Sequence, residues 1–232
     1  MYIHNEFLEL QVSIVFYLIM IPLWALAFNK IRKIFKLDSI PIIILGTAFS
    51  FTILMFDLPF LIEIPGNITC ATLLSILFGP WTSLIIITSA LMIKSIFFGD
   101  GGISTFAVNS FILAFITSFT GYYLYNKVNS SKTLRTIFPK PLIAGISAYF
   151  SSIFSVISLI LIFKLQILLV GVNTSSDFPY TIRSMIAIML AEHLLILGLI
   201  EAAITITALV FLTRDNNYLL NLITKNNKLL VN

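Results

Sequence analysis

The sequence is poor in charge, in cysteine and in histidine. Only 10% of its 232 residues are charged, 14 Lys and Arg against 10 Asp and Glu. A soluble domain carries roughly 25% charged residues, and a chain of this length must expose a large polar surface to water. A water-soluble globular fold is therefore excluded. The single cysteine, Cys70, excludes an internal disulfide and a thiolate metal cluster. The two histidines, His4 and His193, lie at opposite ends of the chain. No Walker phosphate loop is present, so this chain does not hydrolyse ATP itself. No catalytic cluster converges on one surface, and an enzyme is not expected. The net charge of +4 is not a nucleic-acid footprint, because eleven of the 14 Lys and Arg fall in three stretches.

Apolar residues take the place of charge: 59% are hydrophobic and the mean hydropathy is +1.04. The runs are continuous, as from Leu159 to Phe163, whereas barrel strands alternate apolar and polar. The spans are therefore helices, each needing about 20 apolar residues. They are expected at about 11–29, 39–57, 67–79, 81–98, 103–126, 141–171 and 181–213. The expected fold is all-α, a polytopic transmembrane bundle of about seven helices. It forms one integral-membrane domain over 1–213, with a short cytoplasmic tail over 214–232. The apolar run after Gln11 is too long for a cleaved leader, and no small-residue cleavage site follows it.

The few charges report orientation. Lys30, Arg32, Lys33 and Lys36 occupy the first connection; Lys127, Lys132, Arg135 and Lys140 the fifth; Arg214, Lys225 and Lys228 the tail. With seven spans all three stretches share one side. The other side holds Glu6, Glu9, Asp57, Glu63, Asp100 and Asp177, with no Lys or Arg until Arg183. Positive residues favour the cytoplasm, so the amino terminus is expected outside and the carboxyl terminus inside, in a multi-pass protein of the cell membrane.

Segment 67–79 departs from a simple rod. Its 13 residues before Pro80 give about 20 Å of helix, short of the ~30 Å hydrocarbon core. Short or interrupted membrane segments line binding sites when their backbone is shielded by protein or water. Within the spans, Lys94, Lys164 and Arg183 sit near outer ends, where snorkelling accounts for them. Glu192, His193 and Glu201 lie deeper in the last span. At 100° per residue Glu201 is about 80° from His193 and opposite Glu192, so the three form no single stripe. A structural contact or a partner-docking role suits them better than a proton relay. Phe98-Gly99-Asp100-Gly101-Gly102 reads as a tight outer turn.

The order of motifs is specific. Pro65-Gly66-Asn67, Leu77-Phe78-Gly79-Pro80-Trp81, Phe98-Gly99-Asp100-Gly101-Gly102, Ala107-Val108-Asn109, then His193 and Gly198-Leu199-Ile200-Glu201 follow one another in collinear order. In this the chain resembles the CbiM/NikM family, substrate-binding membrane subunits of energy-coupling-factor transporters for cobalt and nickel, over about 1–213. The resemblance implies seven spans, an outside amino terminus, a transmembrane coupling protein and ATPase subunits as partners, and Ni²⁺ or Co²⁺ as transported cargo rather than resident cofactor. It also implies a site built from the amine of Met1, a histidine where this chain has Tyr2, and a second histidine where it has Asn67. Planar nitrogen ligation of that kind suits Ni²⁺ and Cu²⁺.

Both imidazoles are missing here. Met1, Tyr2, His4, Asn67 and Cys70 are the metal-site candidates by position, with Asn5 and Glu6 nearby. An amine–amide–amide–imidazole chelate needs histidine third, a place His4 takes only if Met1 is removed. A rebuilt site, the same scaffold with a non-metal cargo, and a stand-alone ion- or proton-coupled carrier using Glu192, His193 and Glu201 stay open. Ala71 and Ser75 form a small-xxx-small pair that lets another helix approach closely. Related subunits use such stripes against the coupling protein.

Overall fold

The computed structural model describes residues 3, 8–34, 40–56, 67–99, 101–170 and 182–215. All regular structure among them is helical: α1 (Leu10–Ile34), α2 (Ile40–Leu54), α3 (Ala71–Phe78), α4 (Pro80–Phe98), α5 (Gly102–Asn109), α6 (Thr117–Ser130), α7 (Lys132–Ile137), α8 (Lys140–Val170), α9 (Ile182–Glu192) and α10 (Gly198–Asp215). A π-helical segment, Ser110–Ile116, runs α5 into α6, and a second, His193–Leu197, runs α9 into α10.

Five stretches are long and apolar enough to cross a membrane: Leu10–Arg32, Pro80–Phe98, Gly102–Ser130, Lys140–Leu169 and Ala187–Leu212. Ile43–Leu54 is a shorter apolar helix. The chain is thus a multi-pass membrane protein. The tail beyond residue 215 lies outside the described residues.

The third expected span differs most from a rod. Residues 67–70 are not helical, and only the 8 residues of α3 are. At 1.5 Å per residue α3 covers about 12 Å, so it cannot cross the bilayer. Gly79, at φ 84°, ends it, and Pro80 starts α4 at the first helical position, where its missing N–H costs nothing. After α4, Gly99, Gly101 and Gly102 all take positive φ, which glycine adopts freely.

α3 is packed on several sides by α4, α6 and α8. Hydroxyl groups join these helices. Thr72 Oγ1 and Ser151 Oγ are 2.6 Å apart, and Ser83 Oγ pairs with Ser118 Oγ at 2.8 Å while reaching Ala71 O at 3.1 Å. Such interhelical hydrogen bonds are worth on average about 0.6 kcal/mol each. Small residues let the helices close up: a Cβ on Gly121 would lie 2.3 Å from Thr72 Oγ1, and one on Gly145 would lie 2.4 Å from Ile206 Cγ1.

The structure corrects one expectation, for Lys94, and places two small residues in the core. Ala71 and Ser75 are 0% exposed within this chain's own bundle, and Ser75 Oγ donates to Thr72 O. Their small size serves the packing of α3 against neighbouring helices of this chain. Lys94 does not snorkel. It is 1% exposed, and its Nζ donates to Leu54 O at 2.8 Å, capping the last turn of α2. Lys164 is exposed, as snorkelling requires, and the Lys30 ammonium lies 4.6 Å over the Trp81 ring. The side chain of Arg183 lies outside the described residues.

Candidate functional site

Residues 67–70 are buried, although no helical ladder satisfies their backbone. Buried backbone donors need acceptors, and for Thr69 and Cys70 one side chain provides them. Glu201 Oε1, on α10, accepts from Thr69 N at 2.7 Å, Thr69 Oγ1 at 3.1 Å and Cys70 N at 3.2 Å. Thr69 Oγ1 in turn accepts from Ala71 N at 3.2 Å. The carboxyl group therefore sits at the amino-terminal end of α3, where orphan N–H groups and the helix dipole both favour an acidic side chain. Cys70 takes φ 53°, the only positive φ on a non-glycine among the described residues. That conformation costs an ordinary residue roughly 1–2 kcal/mol, and it is kept here because the Glu201 contacts fix the peptide groups around it.

Ile3 is held in a similar way. Asn109, the last residue of α5, accepts from Ile3 N through Oδ1 at 2.9 Å and donates from Nδ2 to Ile3 O at 3.1 Å. Both residues are buried, and Ile3 shares one apolar cluster with Ala71, Leu74, Ala107 and Val108. Asn109 was visible in the sequence only as part of a motif. Its signal was an amide inside an apolar run, a group that needs a polar partner when buried.

The other titratable candidates do not gather. His193 begins the second π-helical segment, and its Nδ1 lies 3.0 Å from Met189 O. A carbonyl only accepts, so Nδ1 donates in this contact. The ring lines a small cavity with Ile112, Leu113, Ser155, Val156 and Leu159, sized for about one water molecule. Glu192 is buried beside it in sequence, while Glu201 is committed to Thr69 and Cys70. The π-helical segment between them alters the helical phase on which the 80° separation was reckoned. Among the described residues no three His, Cys, Asp or Glu side chains converge as a metal cluster. Met1, Tyr2 and His4 lie outside the described residues, so of the metal-site candidates only Asn67 and Cys70 are placed, both buried.

Comparison with known proteins bears on this arrangement. The family model for CbiM, cobalt uptake substrate-specific transmembrane region, matches residues 2–218. A protein of Methanocaldococcus jannaschii whose name assigns it provisionally to metal transport is 35% identical over 198 residues, covering 84% of this chain and 82% of that one. The fused nickel transport protein NikMN of Rhodobacter capsulatus is 27% identical over 226 residues, covering 95% of this chain and 64% of its own length. The chain thus spans somewhat under two thirds of that fused relative. A crystal structure of a truncated transition metal transporter superposes with a TM-score of 0.82 at 32% identity, covering 94% of this chain and 100% of that one.

Proposed function

Because the chain belongs to the CbiM family, the cobalt uptake substrate-specific transmembrane region, we propose that it is the substrate-capture subunit of an energy-coupling-factor importer for a nickel- or cobalt-type ion. The family is one of membrane transporters, not enzymes. One observation carries the reading. Beside the two positions that the family resemblance assigns to the cargo, Ile3 and the Thr69–Cys70 backbone are each tied into the bundle by a buried side chain, Asn109 and Glu201. In this reading the outer end of the bundle captures the ion, with the amino terminus outside. The basic connection around α7 and the carboxyl-terminal tail face the cytoplasm, where a coupling protein and ATPase subunits supply the energy this chain lacks.

The donor set differs from the planar nitrogen set of the family. With Tyr2 and Asn67 in place of imidazoles, a bound ion would draw on the terminal amine, backbone amide nitrogen, His4, and the amide oxygen of Asn67 or the thiol of Cys70. Oxygen and thiolate donors relax the preference for a square plane. The same substitutions favour a second reading, an unchanged scaffold with a non-metal cargo. Metal analysis of the purified protein, with and without added Ni²⁺ and Co²⁺, separates the two. A stoichiometric ion supports the first, and a metal-free protein indifferent to both ions rejects it. Purification from native membranes in gentle detergent should also recover the ATPases, and their consistent absence would count against a coupled importer.

A further inference from the structure

One short helix stands apart from the bundle and from the site just described. None of the 6 residues of α7 is buried. It is joined to α6 by Ser131 and to α8 by Phe138 and Pro139 alone. Both neighbours belong to stretches long enough to cross a membrane, Gly102–Ser130 and Lys140–Leu169. A helix tied this closely to two spans is held at the membrane surface. At 100° per residue Lys132 and Arg135 share one side and Leu134 and Ile137 the other, with the two pairs about 160° apart. Leu134 is 38% exposed and Ile137 63%. Lys127, Lys132, Arg135 and Lys140 are all exposed, and the sequence has no acidic residue between Asp100 and Asp177.

We propose that α7 is an interfacial helix that docks on anionic phospholipid headgroups. Leu134 and Ile137 enter the upper acyl region, and Lys132 and Arg135 meet the phosphates, with Lys127 and Lys140 extending the basic strip. Charge complementarity selects this occupant. The bilayer surface offers an anionic layer directly above an apolar one, and α7 presents a basic side and an apolar side at the same level. A protein partner would need an acidic patch and an apolar patch in matching register. The proposal is independent of what the bundle transports.

The full chain in nanodiscs tests it, using pure phosphatidylcholine or an equal mixture of phosphatidylcholine and phosphatidylglycerol. Amide hydrogen exchange over residues 132–138 should be slower in the mixed discs, and added salt should narrow the difference. K132Q/R135Q should abolish the difference while leaving the thermal melt of the bundle unchanged. Native mass spectrometry should show phosphatidylglycerol binding weakened about fivefold per charge removed. Equal exchange in the two lipid compositions overturns the proposal. So does protection that arises only when the coupling protein and ATPases are added, which would assign the helix to a protein partner.

Discussion

Glu201 joins two parts of the chain that are 132 residues apart, and at the residue scale it does more than any other described side chain to fix the candidate site. Replacing it with alanine leaves the N–H groups of Thr69 and Cys70 buried without their acceptor. At about 1–3 kcal/mol for each orphaned donor, E201A should lose on the order of 3 kcal/mol, seen as a lower melting temperature in detergent. E201Q keeps a carbonyl oxygen at the same reach and should lose less than half as much. An E201A protein that melts with the wild type would remove Glu201 from this role. The sequence showed that Glu201 is deep in an apolar helix and therefore costly unless partnered. It did not show the partner, because periodicity reports which face of a helix a residue occupies and nothing about a segment 132 positions earlier. For the same reason Lys94 was legible as a cation in a span, while its contact with Leu54 O was not.

At the scale of elements, close helix approach and non-α turns shape the bundle. Gly145 on α8 faces Ile206 on α10, with Ile206 Cγ1 and Cδ1 both within 2.5 Å of where a Cβ would stand. G145A should cost about 1–3 kcal/mol through overpacking, and I206A in the same chain should recover part of it by removing those two atoms. A double variant no more stable than G145A alone would show that the approach of Ala202 O, 3.2 Å from the same point, dominates instead. The π-helical segments have their own supports. Tyr149 OH donates to Leu194 O at 3.0 Å in the second, and Thr117 Oγ1 donates to Ile112 O at 2.9 Å in the first. Y149F should therefore cost about 1 kcal/mol, with faster amide exchange concentrated around 193–198 rather than spread over the bundle. These segments were invisible in the sequence, since a π turn and an α turn are written with the same apolar residues. The third expected span was legible as too short, but its first four residues looked helical. They are not, and the N–H groups of the last two, Thr69 and Cys70, go to Glu201 rather than to an intrahelical ladder.

For the whole molecule, composition and run length carried most of the architecture: an all-helical multi-pass fold follows from too little charge to face water and too little alternation for a barrel. The motif order carried the family. What bound these together, the insertion of Ile3 beneath Asn109 and the burial of α3 among α4, α6 and α8, depends on contacts between distant segments and had no local signature. The proposed orientation rests on the basic connections, and under it a cysteine introduced at exposed Thr133 (T133C) should react with an impermeant maleimide in inside-out vesicles and stay unreactive in intact cells. The opposite pattern would reverse the topology. Such an experiment starts from a favourable background, because the natural Cys70 is 0% exposed in the folded chain. Thiol reagents reach that sulfur only when the peptide held by Glu201 lets go. Labelling of Cys70 therefore acts as a clock for local opening at the root of α3. Run with and without cargo, that clock would read how firmly an occupied site closes the molecule, with no reporter group added.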